Sequence, residues 1–156
     1  MAVFTAAQAL DMALQIEKNG EAFYHAAAAK AEDPGAQDLF HELARQEQRH
    51  YVAFQKMAAH LGGIHEAPAS ANEEYQYYLK ATLDGHLFSG PDKALAVAER
   101  AEDATLALQG AIGFEKDTLL FYYDLRDLVD ESEQEVLSDI IQEEKSHVQR
   151  LARMLG

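Results

Sequence analysis

The chain has 156 residues, 48% of them hydrophobic and 26% charged, and its 13 basic against 27 acidic side chains leave a net charge of −14. That length suits a single domain spanning 1–156 that buries roughly two-thirds of its unfolded surface, and an acidic surface without a basic stripe argues against nucleic-acid partners. The absence of cysteine excludes disulfides, thiolate zinc sites, iron–sulfur clusters and a Cys₄ iron centre, so any metal must be held by oxygen and nitrogen.

In chain order, the first predicted helix runs from Thr5 to about Ala31. Thr5 with Gln8 makes a capping-box pattern, and Leu10, Ala13, Leu14 and Phe23 recur at helical spacing. Asp33-Pro34 reads as a cap followed by a first-turn proline, opening a second helix that reaches about Leu61, where Gly62-Gly63 ends it. Residues 64–90 are less regular, with a short helix over "EEYQYYLKATLDGH". Ser89-Gly90-Pro91 starts a third long helix that runs to Asp127, and after a turn around Val129 to Ser132 a fourth reaches the C-terminus. Tight first-to-second and third-to-fourth links predict two antiparallel pairs. The long middle connection predicts an all-α, ferritin-like antiparallel four-helix bundle with a helical crossover between its second and third helices. No apolar stretch approaches the length of a membrane span and the N-terminus has no signal-peptide pattern, so the expected location is the cytoplasm, away from membranes.

An internal repeat runs through these elements. "IEKNGEAFY" (Ile16 to Tyr24) in the first helix is matched by "FEKDTLLFY" (Phe114 to Tyr122) in the third, and "EQRH" (Glu47 to His50) in the second by "EKSH" (Glu144 to His147) in the fourth. The offsets are 98 residues from Glu17 to Glu115 and 97 from Glu47 to Glu144, so two related halves form one bundle.

The repeated residues carry metal chemistry. A glutamate and a histidine three residues apart project from one helix face and can reach one ion or straddle two. Carboxylates bridge metal pairs, and a neutral imidazole is a terminal ligand suited to iron. One glutamate from each of two helices and Glu-x-x-His from each of the other two is the ligand pattern of di-metal carboxylate bundles. Here the ligands would be Glu17, Glu115, Glu47 with His50, and Glu144 with His147. Four carboxylates balance two ions of charge +2, which makes deep burial tolerable. Glu17, Glu115 and Glu144 also interrupt apolar stripes, where an acid without a partner would have to take up a proton.

Tyr24 and Tyr122 follow Glu17 and Glu115 by seven residues, a spacing that suits hydrogen bonding to a ligand carboxylate. Glu21 lies near the same face and reads as a solvated helix acid. Asp38 and His41 form another i, i+3 pair, but His41 lies half a turn around the helix from His50 and should face solvent. His25, His60, His65 and His86 read as surface or loop residues. Tyr75, Tyr77, Tyr78 and Phe88 read as crossover residues packed on the bundle or on a second subunit.

Through Glu17 with Phe23-Tyr24, Glu47-x-x-His50, Glu115 with Phe121-Tyr122, and Glu144-x-x-His147, the sequence resembles the rubrerythrin-related branch of the ferritin-like superfamily, in its small form without a rubredoxin domain. The resemblance covers almost the whole chain, the crossover included. It implies two iron ions per chain, oxidation of Fe(II) by O₂ or hydrogen peroxide as a peroxidase or ferroxidase, and often a homodimer. Manganese suits the same ligands. Rubrerythrins proper carry a further glutamate one turn after the third-helix ligand, where this chain has Thr118. Without cysteine it also needs an external electron donor. Two other readings stay open: an iron-handling protein without a turnover substrate, and a metal-free helical interaction module.

Overall fold

The computed structural model describes residues 6–60, 77 and 104–156. Four long helices make up almost all of these residues: α1 (Ala6–Lys30), α2 (Pro34–His60), α3 (Ala104–Arg126) and α4 (Glu131–Leu155). The predicted crossover, the Gly62-Gly63 stop, the Thr5 cap and the start of the third helix lie outside the described residues, as do His65, Tyr75, Tyr78, His86 and Phe88. Tyr77 is exposed.

The helix ends follow local chemistry. Asp33 caps α2: its Oδ2 accepts from the Ala36 N–H at 2.9 Å, and Pro34 occupies the first helical position, where a missing N–H costs nothing. Asp130 precedes α4 in an extended conformation, and Glu131 and Glu133 place negative charge against the positive end of that helix. The predicted turn around 129–132 is therefore shorter in the structure, because Glu131 and Ser132 already form the first turn. Gly156 closes α4 with φ 89°, its N–H donating to the Ala152 and Arg153 carbonyls.

Helix directions follow from which residues meet. Tyr24 of α1 meets Glu115 of α3, and Tyr122 of α3 meets Glu17 of α1, so these two helices run antiparallel. His50 of α2 meets Glu143 of α4, and His147 meets Gln46, so α2 and α4 are antiparallel as well. The short link over residues 31–33 reverses α1 into α2. Hence α2 and α3 run in the same direction. This is the ferritin-like order, and the described residues form an all-α four-helix bundle.

Small side chains and aromatics share the core. Alanine-rich α1 buries Ala9, Ala13, Ala27 and Ala28, which combine high helix propensity with close helix approach. Phe23 packs edge-on against Phe114 at 4.9 Å, and Phe54 lies 5.2 Å from Tyr122. The repeated glutamates fall near the middle of their helices, which puts them at the bundle's centre, far from either end.

Candidate metal centre

Six charged or ionisable side chains meet at that centre: Glu17, Glu47, His50, Glu115, Glu144 and His147, none more than 3% exposed. Their donor atoms fall into two groups, each with all atoms within 4.8 Å of one another: Glu17, Glu47, His50 and Glu144 in one, and Glu47, Glu115, Glu144 and His147 in the other. Glu47 and Glu144 belong to both. The centre therefore consists of two four-residue sets joined by two shared carboxylates, with one private glutamate and one histidine on each side.

Glu144 lies between the imidazoles, 2.9 Å from His50 Nδ1 through one oxygen and 2.9 Å from His147 Nδ1 through the other. His50 Nδ1 also lies 3.6 Å from Glu17, while His147 Nδ1 lies 3.3 Å from Glu47 and 3.4 Å from Glu115. The rings face each other with centroids 5.7 Å apart. Both histidines turn Nδ1 inward and Nε2 outward. His50 Nε2 lies 2.8 Å from a Glu143 oxygen, and His147 Nε2 meets the Gln46 amide oxygen.

The tyrosines hold the private glutamates crosswise. Tyr24 donates to Glu115 at 2.5 Å and Tyr122 donates to Glu17, each phenol serving the glutamate of the other half of the repeat. Burial and the neighbouring carboxylates push both phenols well above their ordinary pKa, so they act as donors.

The residues read as bystanders lie elsewhere. Glu21 turns toward His25 at 3.5 Å on the surface, and Asp38 and His41 are exposed. His60 pairs with Glu133 at 2.6 Å, tying the end of α2 to the start of α4. Thr118 is buried in α3 one turn beyond Glu115.

Without a metal the cluster is electrostatically frustrated. Burial raises the carboxyls of Glu17 and Glu47, and pushes Glu115 up to about 8, with the Glu144 charge adding to the rise in all three. Burial would also raise Glu144, but the two histidines outweigh it and hold that carboxyl well below the usual range. Four buried polar atoms make no well-directed hydrogen bond among the described residues: Glu17 Oε2, Glu47 Oε1, and Glu144 Oε2 and His147 Nδ1, which lie 2.9 Å apart as an ion pair. Buried polar atoms are rarely left unpaired, and all four belong to the donor sets. Together with the all-oxygen-and-nitrogen donors, they fit a pair of divalent cations.

Three contributors are not evident from motif reading: Gly20, Gln46 and Glu143. A Cβ at Gly20 would stand 2.8 Å from Glu47 Oε2, so the glycine leaves room for a shared carboxylate. Gly20→Ala should add roughly 1 kcal/mol of helix propensity to the metal-free protein and at the same time displace Glu47. The expected result is unchanged or higher thermal stability without metal, with metal affinity lowered about tenfold or more. Unchanged affinity in a metal titration would remove Gly20 from the account. Gln46 and Glu143 immediately precede Glu47 and Glu144 in the two halves of the repeat, but nothing on their own helices points to the histidines they meet.

No helix among the described residues is long and apolar enough to cross a membrane. A search of curated proteins finds no match. Among solved structures, the chain is similar to a candidate ferritin-like diiron-carboxylate protein from Thermotoga maritima. The two share 26% identity over 97% of this chain and 95% of that one, with a TM-score of 0.71. The rubrerythrin family model matches residues 8–155, and with the bundle and its buried glutamates and histidines already in view, the chain belongs to the rubrerythrin family.

Proposed function

We propose that the chain is a di-iron carboxylate oxidoreductase in which Fe(II) held by Glu17, Glu47, His50, Glu115, Glu144 and His147 reacts with O₂ or hydrogen peroxide. The observation that carries this reading is the pair of donor sets sharing Glu47 and Glu144, a geometry made for two adjacent ions. Membership of the rubrerythrin family supports it, as does likeness to a candidate diiron-carboxylate protein. When bound, an iron pair supplies electrons for reduction of the oxidant.

The chain's own residues prepare that chemistry. Glu47 and Glu144, which belong to both donor sets, would hold the two cations and share their charge. His50 and His147 present Nδ1 inward because Glu143 and Gln46 engage Nε2. Tyr122 and Tyr24 fix Glu17 and Glu115 by hydrogen bonds and keep their protons at the phenol oxygens. Phe23, Phe54 and Phe114 are fully buried, Phe23 against Phe114 and Tyr24 and Phe54 against Tyr122, and surround the two phenols with apolar bulk. Thr118 stands where rubrerythrins proper have another glutamate, leaving a set of four carboxylates. With no cysteine in the chain, turnover calls for an external electron donor.

The test is anaerobic loading with Fe(II), followed by one equivalent of hydrogen peroxide or O₂ while ferric absorption is recorded. Fast oxidation of two irons per chain, repeated after reduction, is the expected result. Oxidation no faster than that of iron in buffer, or uptake far beyond two irons per chain, would replace this reading with iron handling.

A further inference from the structure

The two halves of the centre offer the same donor types, two shared glutamates with one private glutamate and one histidine each, and they differ in what stands behind the histidines. Behind His50 Nε2 is the Glu143 carboxylate at 2.8 Å. Behind His147 Nε2 is the neutral amide of Gln46. Gln46 cannot turn over freely, because its Nε2 donates to Glu42 Oε1 at 3.2 Å. Glu42 is itself held by Arg150, whose Nη1 and Nη2 donate to its two oxygens at 3.1 and 2.7 Å. The Arg150–Glu42 pair aims the amide oxygen at His147, and the guanidinium offsets the only carboxylate in that chain. Glu143 acts on His50 directly, through one hydrogen bond.

A carboxylate accepting from an imidazole N–H makes a stronger bond than an amide does and increases electron density at the opposite ring nitrogen. It also adds one negative charge beside the cation that nitrogen faces. The sharing of Glu47 and Glu144 gives neither side an advantage, and Tyr24 and Tyr122 serve the two sides alike.

From this difference we infer that the two metal positions are unequal, and that the Glu17–His50 position, backed by Glu143, binds its ion more tightly and fills first. Glu143 and Gln46 are the positioning residues that set the order. The inference rests on the two-metal reading above, and its test separates the failure of one from the failure of the other.

Cobalt(II), which does not oxidise under the conditions of a titration, is added stepwise to metal-free protein and followed by visible absorption and calorimetry. Wild type should show two resolved steps. Glu17→Gln should remove the tighter step and Glu115→Gln the weaker one. Glu143→Gln should weaken the tighter step about tenfold or more and leave the other in place, while Gln46→Glu should strengthen the weaker step. A purely structural role for Glu143 would not produce that reciprocal response. Two equal steps in wild type, or equal weakening of both steps by Glu143→Gln, would overturn the inequality while leaving the paired site standing. Failure of wild type to bind cobalt at all would overturn the two-metal reading and this inference with it.

Discussion

Glu144→Gln should abolish binding of both metals, whereas Glu17→Gln should leave one. Glu144 belongs to both donor sets, and each of its oxygens lies 2.9 Å from a histidine Nδ1. Glutamine keeps the volume but lacks the charge and the second equivalent oxygen, so neither set retains enough negative charge to offset the desolvation of a divalent cation. Glu17 belongs to one set only, and Glu47, Glu115, Glu144 and His147 survive its replacement. Alanine at 144 is the less informative change, since it leaves two imidazoles facing each other without their counter-charge. Removing one partner of a buried ion pair costs about 3–5 kcal/mol. Metal titration of the glutamine variants gives the stoichiometry directly. Retention of two ions by Glu144→Gln, or loss of both by Glu17→Gln, would show that the carboxylates are not shared as the geometry indicates.

The second large effect is on stability. In metal-free protein, Glu17, Glu47 and Glu115 are raised by burial. Burial pushes His50 and His147 down, but their carboxylate neighbours outweigh it and both rise. Each of these five groups holds its proton in the folded state at a pH where the unfolded chain has released it. Their contribution is therefore complete below the unfolded values and is lost as pH rises toward the folded ones. Only Glu144, held low, contributes in the opposite sense, with stability that is lost as pH falls below the ordinary carboxylate range. Each retained proton costs about 1.4 kcal/mol of stability per pH unit.

For Glu115, shifted from 4.5 to about 8, the window is pH 5 to 8, and that one group should remove about 3–4 kcal/mol across it. That is a large share of the 5–15 kcal/mol typical of a folded domain. A bound metal pair takes the place of those protons, so loaded protein should lose far less over the same range, and the stabilisation by metal should grow with pH. Urea unfolding of chelator-treated and loaded protein from pH 5 to 8 measures both curves. A metal-free stability that stays level or rises across that range would contradict the electrostatic account.

Much of this was legible in the sequence because the site interrupts a pattern. Glu17, Glu115 and Glu144 stand among apolar residues at helical spacing, where an acid needs a reason to be. The repeat tied each to a partner half. Helical periodicity also separated His50 from His41, and the structure leaves His41 exposed. The crosswise tyrosine bonds were less legible. Spacing placed Tyr24 on the Glu17 face, but the antiparallel run of α1 and α3 brings its hydroxyl to Glu115.

Gly20, Gln46 and Glu143 were least legible, for different physical reasons. Mid-helix glycine looks like a weakness until the neighbouring helix supplies the Glu47 carboxylate that needs the space. Gln46 and Glu143 look like ordinary polar residues on half-exposed faces, and their partners are histidines 101 and 93 residues away. Only the register between α2 and α4 shows the contact. Sequence spacing reports neighbours on one helix and is silent about neighbours across two.

The most direct measurement is anomalous scattering at the iron edge from crystals of protein loaded with Fe(II), combined with metal content in solution. Two peaks are expected in every chain, one among Glu17, Glu47, His50 and Glu144 and the other among Glu47, Glu115, Glu144 and His147, with two irons per chain by metal content. A single peak, or iron located only on the acidic surface, would contradict the paired site.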